Sequence, residues 1–228
     1  MSIRIIPIII AILLFFSFST AGYACSPLST KKESIVLVTG FEPFGGYDIN
    51  PSQIIAQSLD GQELDGAFIY SLVLPVDFND SVQISTTAID FLHPDLIISI
   101  GLEAKADAIH VEKLGINLKY DPNKSDKGYS RLNPRGPLIR FSSLPTQSIV
   151  HELRKKGIPT QLSWSAGTYI CNALLYGEIS YIQQHKLPIR VGFIHVPLLQ
   201  SQDPNGMDEQ VMLEAIKTII QISVQQQR

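Results

Sequence analysis

Short uninterrupted apolar runs alternate along this chain with longer stretches whose apolar residues recur every third or fourth position. SIVLVT at 34–39, closed by Gly40, predicts a buried strand. PSQIIAQSL at 51–59 predicts a helix, with Pro51 at its first position, where the missing N–H costs nothing. Residues 68–74 alternate in polarity and predict a second strand. Residues 81–92 carry Val82, Ile84, Ala88, Ile89 and Leu92 at helical spacing, and DLIISI at 95–100 predicts a third strand ended by Gly101. Helix 148–156 is closed by Gly157. A short strand at 159–162, a strand at 190–196 (RVGFIHV) and a final helix at 208–224, apolar through Val211, Leu213, Ile216 and Ile220, complete the pattern. Lys119 to Pro137 is polar and rich in Asn, Gly and Pro, and predicts a long loop or lid. Strands alternating with helices predict a single three-layer α/β/α domain with a largely parallel mixed central sheet.

The first residues follow a different pattern. MSIR carries a basic residue, Ile5 to Phe18 is free of charge, and the small residues of STAGYA lead to Cys25. That order is the signature of a secretory signal, and the apolar run is short for a bilayer span, which needs ~20 residues. Residues 1–24 are therefore expected to be a signal peptide, 25–34 a polar tether and 35–228 the folded domain. Gly22-Tyr-Ala-Cys25 also resembles a lipoprotein box, in which Cys25 would be lipidated. The expected location is periplasmic or secreted, with a membrane anchor through the N-terminus as the lipidated form. The small net charge of -3 and the lack of a basic block exclude a nucleic-acid footprint.

Cys171 precedes NALLYGEISYIQQ, an expected helix. A free thiol ionises near pH ~8.5, and a helix N-terminus or an adjacent imidazolium favours its thiolate. His195 ends the apolar strand RVGFIHV, and sites in open α/β sheets gather at the carboxyl ends of strands. A third group should orient the imidazole, and Glu42, Asp95, Glu103, Asp107, Glu112 and Glu178 all compete for that place. The plainer readings are a buried apolar cysteine and a hydrogen-bonded core histidine. A Cys25–Cys171 disulfide is disfavoured because Cys25 sits at the leader boundary. HxxxH and CxxC spacings are absent, so no metal or other cofactor is expected. GFEPFGG follows a strand but is neither GxGxxG nor a P-loop, and Glu42 would repel an anion.

Four segments in order resemble the pyroglutamyl peptidase I family of cysteine peptidases: VTGFEPFGGYDINPS at 38–52, PDLIISIGLEAKADAIHVEKLGINL at 94–118, SWSAGTYICNALLYG at 163–177 and VGFIHVPLL at 191–199. The resemblance implies a catalytic set of Cys171, His195 and Glu112, acting through an acyl-enzyme on peptides with an N-terminal pyroglutamyl residue. It also implies that Phe41 and Phe44 clasp the lactam ring and that Asn50, Tyr169 and Ile170 line the same pocket. It implies a homo-oligomer, often a tetramer. Typical members lack a leader, so a cytoplasmic location is the alternative to export. The chain departs from the family pattern at GLEAKAD (101–107) for G-x-A-G-G-R, at His110-Val-Glu-Lys113 for T-P-E-R, and at Pro122, where an arginine is usual. Two other functions fit the scaffold: a non-catalytic lipoprotein binding lactams or peptide ends, and an enzyme of the nucleoside-phosphorylase type.

Overall fold

The computed structural model describes residues 34–121 and 128–225. The expected signal peptide, most of the tether with Cys25, and Pro122 lie outside the described residues. Ser34, read as the end of the tether, opens β1 (Ser34–Phe41).

Helix α1 (Pro51–Leu59) starts where the sequence places it, because Asn50 caps it: Asn50 Oδ1 accepts from Ser52 N at 3.0 Å. Strands β2 (Glu63–Leu64) and β3 (Ala67–Leu74), then α2 (Asp80–Leu92), lead to β4 (Leu96–Leu102). Strands β5 (Ile109–Glu112), β6 (Leu114–Ile116), β7 (Lys119–Tyr120), β8 (Tyr129–Ser130) and β9 (Ile139–Phe141) occupy the middle of the chain. Then come α3 (Thr146–Lys155), β10 (Thr160–Ser163), α4 (Ile170–His185), β11 (Arg190–Val196) and α5 (Glu209–Gln225).

Seven strands form the central sheet in the order β10-β5-β11-β4-β1-β3-β2. Four of its pairings are parallel, while β5 runs antiparallel to β11 and β2 to β3. All seven residues of β4 are buried, which is why all of them but Ser99 are apolar. Side chains alternate along each strand, so β1 feeds two cores. Val36 and Val38 meet Ile55 and Leu59 of α1, Ile149 and Leu153 of α3, and Met212, Ile216 and Ile219 of α5. Leu37 and Phe41 meet Ile89 of α2 and Ile170, Leu174 and Ile179 of α4. The two clusters make the three layers, and each fully buried aliphatic side chain contributes roughly 1.5–3 kcal/mol.

The expected lid is not wholly irregular. A short antiparallel ladder of β7 with β8 lies within it, and a second, β6 with β9, flanks it on both sides. Asn117 ties it together: its amide donates to the Asn133 and Gly136 carbonyls at 2.7 and 3.1 Å, and its oxygen accepts from Asn133 N at 2.8 Å.

Candidate active site

Parallel pairing of β11, β4 and β1 brings their carboxyl ends to one rim. His195 stands beside Gly101 in the β11–β4 register and beside His110 in the antiparallel β11–β5 register. Helix α4 begins at Ile170, so Cys171 is its second residue and not the residue ahead of it. Tyr169 takes the cap position in extended conformation, which starts the helix earlier than the sequence reading placed it. The sulfur therefore sits in the first turn, where helical N–H groups lack intrahelical partners and the dipole favours an anion.

The buried imidazole of His195 joins two of the expected residues. Its Nδ1 lies 2.8 Å from Glu112 Oε1, and the nearby Cys171 side chain also raises its affinity for a proton. Glu112 is wholly buried, and its second oxygen has no hydrogen-bond partner among the described residues. Burial by itself opposes charge on His195. The Cys171 sulfur and the Glu112 carboxylate outweigh that cost and push the imidazole up to about 10. The favoured state of His195 is therefore an imidazolium.

The space around the sulfur is tight. A Cβ on Gly101 would lie 2.7 Å from the Phe193 ring and 3.0 Å from Cys171 Sγ. Phe193 is fully buried, so a side chain at 101 would crowd both the ring and the sulfur. The Phe193 ring packs 4.9 Å from the His195 ring and 6.4 Å from the Phe41 ring, centroid to centroid. Phe41 and Ile170, both expected pocket residues, share this buried cluster with Cys171. Phe44 is half-buried in the loop after β1. Tyr169 is 39% exposed and meets Phe78 edge to face at 5.4 Å. Asn50 is buried, and its side chain serves the backbone: besides capping α1, its amide donates to the Glu42 carbonyl at 3.0 Å.

The six competing carboxylates separate cleanly. Glu112 is the one hydrogen-bonded to His195. Glu103 Oε2 lies 2.7 Å from His110 Nδ1. Glu178 is buried beneath the site, where Ser85 and Ser99 donate to it at 2.6 and 3.0 Å. Asp95 accepts from Ile35 N at 2.9 Å and anchors the start of β1. Glu42 and Asp107 are exposed.

Sequence reasoning missed Asn172. Its oxygen accepts from Ile116 N at 2.8 Å, and its amide donates to the Ile116 and Leu118 carbonyls at 2.9 and 2.8 Å. It bolts the segment after β6 to α4 one residue from the sulfur. A buried asparagine directly after the cysteine was the available signal, because such an amide must find partners.

A family model for pyroglutamyl peptidase matches residues 34–226. Pyrrolidone-carboxylate peptidase 1 of Caldanaerobacter subterraneus subsp. tengcongensis is 37% identical over 198 residues, covering 83% of this chain and 97% of that one. Pyrrolidone-carboxylate peptidase of Pyrococcus furiosus is 34% identical over 205 residues, covering 84% and 98%. Among solved structures, pyrrolidone carboxyl peptidase from Thermococcus litoralis superposes with a TM-score of 0.80 at 29% identity, over 86% of this chain and 96% of that one. Pyroglutamyl peptidase I of Bacillus amyloliquefaciens gives a TM-score of 0.79 at 32% identity, over 85% and 98%. With the match running from the first strand to the end of the last helix, the chain belongs to the pyroglutamyl peptidase family.

Proposed function

We propose that this protein is a cysteine exopeptidase that removes pyroglutamyl residues from the N-termini of peptides. The observation that carries this reading is the buried His195–Glu112 hydrogen bond with Cys171, in the first turn of α4, close enough to raise the imidazole's affinity for a proton, in a chain of this family. Glu112 holds the imidazole with its other nitrogen toward the sulfur. The Cys171 thiolate attacks the pyroglutamyl carbonyl, and the first-turn N–H groups of α4 receive the developing oxyanion. His195 gives its proton to the departing amine as the C–N bond breaks, leaving a thioester. It then takes a proton from water, which hydrolyses the thioester, frees pyroglutamate and restores the thiolate beside the imidazolium.

Pyroglutamate is a small neutral lactam without the ammonium group that ordinary aminopeptidases grip. An apolar wall suits it, and Phe41, Ile170 and Phe193 supply one beside the sulfur. Phe44, Asn50 and Tyr169 are assigned to the same pocket from the family motif. No cofactor enters this mechanism. The homo-oligomer expected of the family finds support in the exposed apolar side chains of Leu138, Ile139, Phe141 and Trp164.

The test is turnover of a fluorogenic pyroglutamyl amide by residues 26–228 and by a Cys171→Ser variant. We expect wild-type turnover that iodoacetamide abolishes and a loss of at least ~10⁴-fold in the variant. Equal turnover by both proteins would overturn the reading, and lactam binding without turnover would point to a binding protein. We also propose that residues 1–24 direct export of the protein. Mass spectrometry of the protein from the native cell envelope should find a new N-terminus at or before Cys25, with lipid on Cys25 in the anchored form. An intact Met1 terminus on cytosolic protein would reject it.

A further inference from the structure

Beside the Cys171–His195–Glu112 run stands a second carboxylate–imidazole pair that the proposed mechanism leaves unused. Glu103 follows the end of β4, where its backbone N–H donates to the Val196 carbonyl at 2.9 Å, next in chain to His195. His110 is the direct register partner of His195 across β5 and β11. The two side chains meet at 2.7 Å, with His110 18% exposed and Glu103 43% exposed. Single oxygens of Glu103 and Glu112 and a ring nitrogen of His195 all lie within 4.8 Å of one another. One imidazole thus has two carboxylates close to it. Both members of the extra pair fall where this chain departs from the family pattern, in GLEAKAD and in HVEK.

We propose that Glu103, held in place by His110, is a positioning residue for this reaction: its carboxylate sets a second negative charge beside His195 and stabilises the imidazolium that faces Cys171. The inference rests on the catalytic reading of Cys171 and His195 given above. The titratable groups facing the imidazole are Cys171 from α4, Glu112 and His110 from β5, and Glu103 from the turn after β4. Of the two carboxylates, Glu112 is buried and bonded to the ring, so it supplies the orientation. Glu103 is half open to solvent and does not bond the ring, so its effect is chiefly through charge, weakened by water and by salt.

The sign follows directly. Removing a negative charge makes the imidazolium release its proton more readily, so the alkaline limit of activity moves to lower pH. In Glu103→Gln the alkaline limb of kcat/KM should fall by about half a pH unit to one unit. Glu103→Asp, which keeps the charge, should restore most of that shift. His110→Thr should give a partial shift, since the carboxylate stays but loses its anchor. In 1 M NaCl the gap between wild type and Glu103→Gln should shrink, because the Debye length falls to about 3 Å. A purely structural role would lower kcat or the melting temperature and leave the limb in place.

A nitrogen-15 NMR titration of the His195 ring in wild type and Glu103→Gln reads the same shift without turnover. If wild type fails to cleave the pyroglutamyl substrate, the catalytic reading fails, and the NMR midpoints still decide this inference. If wild type cleaves it but both limb and midpoint coincide in the two proteins, the role assigned to Glu103 is wrong and the catalytic reading stands.

Discussion

Replacing Glu112 with glutamine is expected to lower kcat/KM by about 10³- to 10⁴-fold while the protein still folds, in line with what a wrong tautomer costs in hydrolases of this design. Glutamine matches glutamate in shape but brings no charge. The buried imidazole then loses one of the two groups that raise its affinity for a proton. The amide can offer either its oxygen or its NH₂ to Nδ1, and the second choice turns the ring's lone pair away from the sulfur. The loss should fall on kcat, with KM little changed, because Glu112 is fully buried and out of reach of substrate. Measuring kcat and KM separately on a pyroglutamyl amide, beside a thermal melt, checks this. Activity within tenfold of wild type would remove Glu112 from the mechanism.

The second large effect concerns stability. Glu178 lies on α4 two turns beyond Cys171, wholly buried, and burial pushes its carboxyl up to about 7 despite the hydroxyls of Ser85 and Ser99 that donate to it. In the unfolded chain the same group releases its proton near its ordinary value of 4.5. Between those two values the folded state holds a proton that the unfolded state has lost. Stability therefore falls as pH rises through that window, at about 1.4 kcal/mol per pH unit, and levels off above it. The total is about 3 kcal/mol. Glu178→Gln keeps an oxygen to accept from the two serines and has no proton to lose. Urea unfolding of both proteins from pH 4 to 9 should show wild type losing about 3 kcal/mol relative to the variant across that window. Parallel stability curves would mean that Glu178 is solvated or paired in solution.

The two effects separate two carboxylates that look alike in sequence. Both belong to the six acidic residues that spacing could not rank, and they differ only in what surrounds them. Glu112 faces an imidazole, so its charge is useful. Glu178 faces two hydroxyls and apolar side chains, so its charge is costly.

Much of the fold was legible because its signals are local. The runs that became β1, β4 and β11 are mostly apolar since helices cover both faces of the sheet. α1, α2 and α5 carry apolar residues at helical spacing, and α1 opens on a capping asparagine followed by proline. β5 was missed because its four residues read Ile-His-Val-Glu, an alternation too short to stand out. β6 and β9, of three residues each, are strands only because they pair with one another.

Cys171 and His195 could be picked out by eye, one near a helix start and one at a strand end, since each feature shows in a few consecutive letters. The choice of Glu112 could not be read that way without the family motif. It follows from β5 lying antiparallel beside β11, which carries a carboxylate to an imidazole 83 residues away. Composition and periodicity are one-dimensional and report which segments are buried and in what conformation. Which charges meet depends on strand order, register and the missing side chain of Gly101, and these are settled only when the whole sheet closes around its two cores.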